Sequence, residues 1–252
     1  MKDNLRIALT FSGGGYRAAT FHLGALSYLH SVKVGEFTLL DHVVALSTIS
    51  GGTITGLRYM LGLSRGESVT DIFKELYTFL TDVELATVAM NNLASYDKGQ
   101  CASLIRTMAD IYNKELFKGA VLGDLMDQLD DIHICHFAAN ATDFTNGLAF
   151  RFQVTEKTGV RQEQATGYGL IGNNKIRIPR EVARHIRLSE VLACSSCFPS
   201  GFEPLVFPKD FVLGDSEEVK KFIAKTEPFG IMDGGIVDNQ GIEPILLAEQ
   251  RM

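Results

Sequence analysis

Cysteine, proline and tryptophan are scarce in this chain of 252 residues, which contains four cysteines, six prolines and no tryptophan. Four cysteines are too few for a disulfide scaffold at this length. The low proline content and the lack of any low-complexity stretch exclude a disordered chain or a fibrous repeat. Apolar residues make up 46% of the sequence and charged residues 21%. We therefore expect a globular protein with one large α/β domain or two small ones.

A strong excess of positive or negative charge is lacking too. The 24 Lys and Arg residues and the 30 Asp and Glu residues give a formal net charge of −6, and no basic run stands out. Nucleic-acid binding depends on basic groups that neutralise phosphates. We therefore expect no nucleic-acid partner.

Long hydrophobic runs are also missing. The longest stretch without Asp, Glu, Lys or Arg covers the 16 residues 42–57 and contains Ser, Thr and paired glycines, whereas a membrane span needs roughly 20 apolar residues. The first residues lack the basic segment, apolar core and cleavage site of a secretory signal. We expect no transmembrane segment and a cytoplasmic location.

Three apolar runs end in short glycine-rich segments, and each is followed by a helical pattern. Residues 5–11 lead into Ser12-Gly-Gly-Gly15, residues 43–49 into Ser50-Gly-Gly52, and residues 229–232 into Asp233-Gly-Gly235. The helical patterns cover residues 16–32, 51–61 and 242–250. Repeated strand–turn–helix units predict a parallel sheet in an α/β protein.

The remaining sequence is helical between residues 69 and 129 and mixed thereafter. Apolar residues repeat at helical spacing in three stretches, at Ala18, Phe21, Ala25 and Leu29, at Ile72, Leu76, Phe79 and Leu80, and at Leu104, Met108 and Ile111. Strands are predicted over 132–141 and 148–154, and a short helix over 188–193.

Because no fixed-period repeat or flexible linker interrupts the chain, we expect one domain over 1–252. The chain stops inside a helical pattern, which is typical of a domain cut from a longer protein.

Two short motifs resemble metal or redox sites. Cys194 and Cys197 form a CxxC, but no second CxxC is present to complete a zinc site. The segment His133-Ile-Cys-His136 lies in a strand pattern, where neighbouring side chains point to opposite faces. We interpret these residues as buried structural ones and expect no metal and no cofactor.

The first candidate site is the loop Ser12-Gly13-Gly14-Gly15 before the helix at residues 16–32. Its glycines allow consecutive N–H groups to gather at the positive end of that helix, which makes an anion cradle. A plain tight turn is one alternative. Another is a dinucleotide fingerprint, Gly13-x-Gly15-x-x-Ala18, whose acidic partner would have to be Glu36.

The second candidate site requires a choice between two serines. The literal pattern Gly62-x-Ser64-x-Gly66 follows a helix, so Gly62 is better explained as a helix terminator and Ser64 as capping chemistry. Ser50 instead has a strand before it and a helix after it, as a nucleophile elbow requires. Thr48 stands where an elbow has its first glycine, and its branched side chain is expected to crowd the helix. Helix capping is the alternative role for Ser50.

The third candidate site is Asp233, at the end of a predicted strand with two glycines behind it. A serine hydroxyl needs a neighbouring base before it becomes a useful nucleophile. In hydrolases of the serine, acid, histidine order the histidine comes last, but no histidine follows His185 in this sequence. A direct Ser50–Asp233 dyad is the arrangement that these residues favour.

These segments together resemble the patatin-like phospholipases and, more distantly, the cytosolic phospholipase A enzymes. Ser12-Gly-Gly-Gly-Tyr-Arg17 is similar to the family's oxyanion-hole loop, Thr48-Ile-Ser-Gly-Gly52 to its elbow and Asp233-Gly-Gly235 to its Asp-Gly-Gly/Ala motif. Two further blocks, Ala141–Gly147 and Ala193–Pro199, resemble the family's central strand and its Ala-Ser-x-x-x-Pro segment. Thr48 and Ser12 depart from the patatin pattern, although the cytosolic branch resembles this chain at Ser12.

The resemblance implies a three-layer α/β/α fold with a mostly parallel central sheet. It also implies a lipid acyl hydrolase, in which Ser50 attacks the ester and Asp233 takes its proton. Gly13, Gly14 and Gly15 would donate N–H groups to the oxyanion, and Arg17 would hold a substrate phosphate or brace the loop. The expected partner is a lipid or phospholipid, met transiently at a membrane surface. The alternative is an inactive relative whose glycine cradle binds an anion or nucleotide for regulation.

Overall fold

The computed structural model describes residues 5–94, 103–155 and 171–249. The strands within these ranges are β1 (Ile7–Phe11), β2 (Lys33–Val34), β3 (Phe37–Thr38), β4 (Val43–Ile49), β5 (His136–Asp143), β6 (Leu148–Thr155), β7 (Ile171–Gly172), β8 (Leu205–Phe207) and β9 (Phe229–Asp233). The α-helices are α1 (Gly15–Ser31), α2 (Gly51–Ser64), α3 (Val69–Asp82), α4 (Leu85–Ala94), α5 (Leu104–Tyr112), α6 (Leu122–Gln128), α7 (Arg180–Ala183), α8 (Leu188–Ser196), α9 (Glu217–Ile223) and α10 (Ile242–Glu249).

The main sheet has the order β1-β4-β5-β6-β7, and β9 and β8 continue from β5. Pairing is parallel between β1 and β4 and between β4 and β5. It is antiparallel for β6, β7, β8 and β9. Helices flank this sheet, so the predicted α/β/α fold is confirmed. The sheet is mixed: parallel pairs run from the edge strand β1 through β4 to the central β5, and the other pairs are antiparallel.

Strands β4 and β9 meet end to end along the same edge of β5. Strand β4 runs parallel to β5 and stops where Ile49 faces Asn140. Strand β9 runs the opposite way and stops where Asp233 faces Ala141, the next residue of β5. The carboxyl ends of two strands that are far apart in sequence therefore lie side by side.

The helical stripes predicted for α3 and α5 pack into the core, but the stripe predicted for α1 is partly wrong. Ala18, Ala25 and Leu29 are half-buried, and Phe21 is 73% exposed. The face of α1 that is fully buried carries Ala19, His22, Leu23 and Leu26. Sequence spacing could not distinguish the two faces, because a buried histidine lies among the core residues.

Helix α2 approaches β4 closely at Gly56. A Cβ atom at position 56 would overlap the Cγ2 methyl of Thr48. The expected crowding at the elbow is therefore avoided, since the side chain missing at position 56 makes room for the one present at position 48. Thr48 also donates a hydrogen bond from Oγ1 to the carbonyl of Ala138, which ties β4 to β5.

The prediction that Gly62 ends a helix is wrong. Gly62 lies inside α2, where a side chain would overlap Ile72 of α3. The chain leaves the helix at Arg65 and turns at Gly66, which has a φ of +67°. Ser64 is the last residue of α2, and its hydroxyl donates to the carbonyl of Leu61 at 2.8 Å.

Among the described residues, no helix is both long enough and apolar enough to cross a bilayer.

We predict that Gly56→Ala destabilises the protein although alanine favours helices. The new methyl overlaps the Thr48 side chain, and such overpacking of a buried site lowers the free energy of unfolding by roughly 1–3 kcal/mol. Thr48→Ser removes the opposing methyl and retains the hydroxyl. In urea unfolding, the double variant should recover most of the loss that Gly56→Ala shows alone. Strictly additive effects of the two changes would contradict the packing explanation.

Candidate active site

Ser50 occupies a sharp turn between β4 and α2. Its backbone angles are φ 51° and ψ −121°, and it is one of two non-glycine residues with positive φ in the described chain. This region of backbone space is unfavourable for a residue with a side chain, and such strain persists only when the surroundings enforce it. The turn is the strand–elbow–helix arrangement predicted for Ser50.

The end of α8 holds the backbone on both sides of the site. The N–H of Ser50 donates to the Ser195 hydroxyl at 2.9 Å, and that hydroxyl donates to the carbonyl of Asn140 at 2.7 Å. Two residues later, just after α8 ends, the carbonyl of Cys197 accepts the N–H of Asp233 at 3.0 Å. Helix α8 therefore fixes the Ser50 turn and the end of β9 relative to each other.

Asp233 is only 4% exposed. Its carboxylate accepts a hydrogen bond from the N–H of Gly235 at 2.7 Å. Burial raises the pKa of Asp233, because the charged form is poorly solvated there, and the Gly235 N–H and the nearby Ser50 side chain oppose part of that rise. The structure thus places a buried carboxylate beside the Ser50 turn.

The three glycines of the loop are not equivalent. The N–H of Gly13 donates to the carbonyl of Asn239 at 3.1 Å, so it is engaged, contrary to its expected role as an oxyanion donor. Gly14 and Gly15 are exposed and have φ values of +139° and +63°. Within the described residues no acceptor takes either of their N–H groups. Because these groups lie at the first turn of α1, they are the loop's candidate donors to an anion.

His22 holds the start of this loop by a hydrogen bond to its backbone. Its Nε2 lies 3.1 Å from the carbonyl of Ser12, and since a carbonyl can only accept, Nε2 carries the proton. The ring stacks on Phe11 at a centroid distance of 4.5 Å. Burial lowers the pKa of His22, which favours the neutral ring at pH 7. His22 therefore contacts the loop backbone and not the Ser50 hydroxyl.

Sequence reasoning missed Asn239, which lies six residues after Asp233. Besides accepting from Gly13, it places its side-chain oxygen where a Cβ on Gly13 would be, and 2.8 Å from where a Cβ on Gly235 would be. Asn239 therefore lies between the glycine loop and the turn after Asp233. Ser195 was also missed as an individual residue, although it lies in the quoted block Ala193–Pro199.

The structure also places Arg17, the predicted phosphate ligand, and Glu36, the acidic residue of the dinucleotide alternative. Arg17 is exposed on the first turn of α1, one residue beyond Tyr16. Glu36 lies in the tight turn between β2 and β3, which form a separate two-stranded sheet. Because Glu36 is not at a strand end of the main sheet, the dinucleotide alternative loses its acidic partner.

The CxxC cysteines are buried. The thiol of Cys197 donates to the carbonyl of Glu203 at 3.0 Å, and burial raises the pKa of Cys194 well above that of a free thiol and the pKa of Cys197 to about 12. Both side chains are packed parts of the core. In the part of the chain that the structure describes, no three His, Cys, Asp or Glu side chains cluster to hold a metal ion.

Comparison with known proteins agrees with this geometry. The family described as patatin-like phospholipase matches residues 9–246. The chain belongs to this family. The fold is similar to that of human GIVD cytosolic phospholipase A2, with a TM-score of 0.57 and 14% sequence identity over 95% of this chain and 43% of that one. No curated protein matches the chain.

Membership of the patatin-like phospholipases supports a lipid hydrolase activity on a lipid substrate. The human structure, at 14% identity, supports the fold alone, and this patatin-like domain spans less than half of that longer chain.

We predict that Ser50→Gly gives a more stable protein than Ser50→Ala. Both changes remove the hydroxyl, but alanine keeps the strained backbone at φ 51°, whereas glycine adopts it freely. The difference in the free energy of unfolding should be about 1 kcal/mol in favour of glycine. Urea unfolding measures it, and equal stabilities would show that the Ser50 turn holds no strain.

We also predict that Asp233→Asn raises the melting temperature at pH 7. A pKa raised in the folded state means that the ionised carboxylate opposes folding above the pKa of the unfolded chain. Asparagine carries no charge and can still accept from Gly235 and meet Ser50. The advantage should therefore shrink as the pH falls towards the ordinary Asp pKa of about 3.9, where the wild-type side chain is protonated as well. A gain that persists unchanged at low pH would point to another cause.

Proposed function

We propose that this chain is a serine esterase of the phospholipase A type, which cleaves fatty-acyl esters through an acyl-enzyme on a Ser50–Asp233 dyad. The observation that carries the proposal is the buried Asp233 carboxylate beside the Ser50 turn, where β4 and β9 end next to each other on β5 and the Ser50 side chain lowers the pKa of Asp233. A buried carboxylate with a raised pKa is a better proton acceptor than an exposed one.

The two half-reactions follow from these positions. The Ser50 Oγ attacks the ester carbonyl carbon while its proton passes to Asp233. The C–O bond to the alcohol then breaks, and Asp233 returns the proton to the departing alcohol oxygen. Water next attacks the acyl-enzyme, its proton passes through Asp233 to Ser50 Oγ, and the fatty acid leaves.

The oxyanion of each tetrahedral intermediate would lie on the N–H groups of Gly14 and Gly15. These donors are unengaged and stand at the positive end of α1, so they are already oriented before charge develops. One such donor typically lowers the barrier by about 3 kcal/mol. Gly13 would act differently, since its lack of a side chain leaves room for Asn239 and Ser50.

Arg17 would meet the phosphate of a phospholipid. It is exposed on the same helical turn as the two amides, so its guanidinium can reach the alcohol side of a bound ester and pair with an anionic headgroup there. The substrate would be reached at a membrane surface.

No observation favours the alternative of an inactive relative with a regulatory anion site. That alternative rested on Thr48 blocking the elbow, and Gly56 accommodates the Thr48 methyl. The backbone angles of Ser50 and the carboxylate of Asp233 near it support an active serine instead.

We predict that Ser50→Ala abolishes hydrolysis of p-nitrophenyl butyrate and labelling by a fluorophosphonate probe. Ser64→Ala is the matched control, because Ser64 also lies in a Gly-x-Ser-x-Gly sequence but its hydroxyl is bonded to Leu61. It should retain both activities. Asp233→Asn should lose hydrolysis while remaining folded, as judged by its melting temperature. Turnover by Ser50→Ala would overturn the proposal, and so would failure of the folded wild-type protein to react with the probe.

A further inference from the structure

A cavity of about 400 Å³ lies between α4, α5 and the start of α1, and we refer to it as the α4–α5 cavity. Buried Leu85, Ala89 and Met108 form its inner surface, and exposed Thr87 and Met90 stand at its opening. Small-molecule sites occupy roughly 300–1,000 Å³ and are mainly apolar. The α4–α5 cavity has both properties.

The cavity adjoins the candidate active site through two of its walls. Tyr16 follows Gly15 directly, and the carbonyl of Gly15 lies so close to Gly51 that a side chain there would overlap it. Phe202, the opposite wall, lies in the segment after Cys197, whose carbonyl holds the N–H of Asp233. Two residues that line the cavity, Tyr16 and Phe202, therefore belong to the chain segments that contact Ser50 and Asp233.

The chemistry of these walls fits a hydrocarbon chain. Tyr16 directs its hydroxyl away to the carbonyl of Val83, at 3.3 Å, and packs its ring against Phe79. Among the residues that the structure describes, Glu84 is the one charged residue lining the cavity. An exposed carboxylate there disfavours an anionic occupant, whereas an uncharged alkyl chain gains from leaving water.

In an ester bound to the Gly14 and Gly15 amides, the acyl chain and the alcohol group extend from the carbonyl in different directions. Tyr16 and Arg17 are consecutive residues of α1, so their side chains diverge by about 100° around the helix. Tyr16 borders the apolar cavity, and Arg17 lies in solvent. The acyl chain therefore fits the Tyr16 side, and the polar alcohol group fits the Arg17 side.

We propose that the α4–α5 cavity binds the fatty-acyl chain of the substrate and that Thr87 and Met90 at its opening set the preference for chain length. This inference rests on the proposed esterase function, because it assigns the acyl subsite of that same site.

The test compares two tryptophan substitutions at neighbouring exposed positions of α4. Thr87→Trp narrows the cavity, while Val88→Trp, at a position 37% exposed that does not line it, is the matched control. Thr87→Trp should lower kcat/KM for p-nitrophenyl palmitate by about tenfold or more relative to the wild type. Its kcat/KM for p-nitrophenyl acetate should stay within about twofold of the wild type, because the acetyl group does not reach the cavity. Val88→Trp should change neither value.

A binding measurement separates this inference from the proposed function. The chain has no tryptophan, so a tryptophan introduced at position 90 is the sole indole emitter. In the Ser50→Ala background, the uncharged methyl ester of brominated stearic acid, kept below its solubility limit, should quench the emission of Met90→Trp and leave that of Val88→Trp unchanged.

Selective quenching in a protein whose wild type cleaves no ester would support the cavity and refute the esterase. Equal quenching at positions 88 and 90 would overturn the inference. So would palmitate hydrolysis by Thr87→Trp at the wild-type rate, which would mean that something other than the acyl chain, such as a second copy of the chain, fills the cavity.

Discussion

The candidate site depends on one constraint of the sheet, the meeting of β4 and β9 end to end beside β5. Parallel pairing brings Ile49 to Asn140, and antiparallel pairing brings Asp233 to the neighbouring Ala141. Backbone hydrogen bonds fix both registers, and a shift of one residue would turn the side chains to the opposite face. The proximity of Ser50 and Asp233, 183 positions apart in sequence, therefore follows from the ladder itself.

Helix α8 converts that proximity into a fixed geometry. Its last turn supplies the Ser195 hydroxyl to the N–H of Ser50, and the residue that follows it, Cys197, supplies a carbonyl to the N–H of Asp233. Ser195 is fully buried and is itself oriented by the carbonyl of Asn140. Since a buried polar group without a partner is destabilising, each of these groups restrains the others, and the strained turn at Ser50 is held in place.

The same site contains the least favourable local features of the chain. Ser50 has a backbone conformation that disfavours side chains, and Asp233 is an ionisable group removed from water. The N–H groups of Gly14 and Gly15 have no acceptor within the described residues. The first two features oppose folding, and all three suit the proposed acyl-transfer site as nucleophile, base and oxyanion donors. The rest of the core stabilises this combination, which is how functional sites and stability oppose one another in proteins.

The amino-acid sequence by itself determined the strand–turn–helix units, because strand periodicity and glycine turns are local patterns. From the same patterns it predicted Ser50 over Ser64 as the nucleophile and Asp233 as its partner. It could not show that Phe21 faces solvent, that Gly62 packs against Ile72, or that the Gly13 N–H is taken by Asn239. Nor could it show that Gly56 makes room for Thr48, or that a cavity opens beside Tyr16. Only the tertiary structure decided these points, since each depends on atoms from separate segments, and their distances are fixed only when the whole chain is packed.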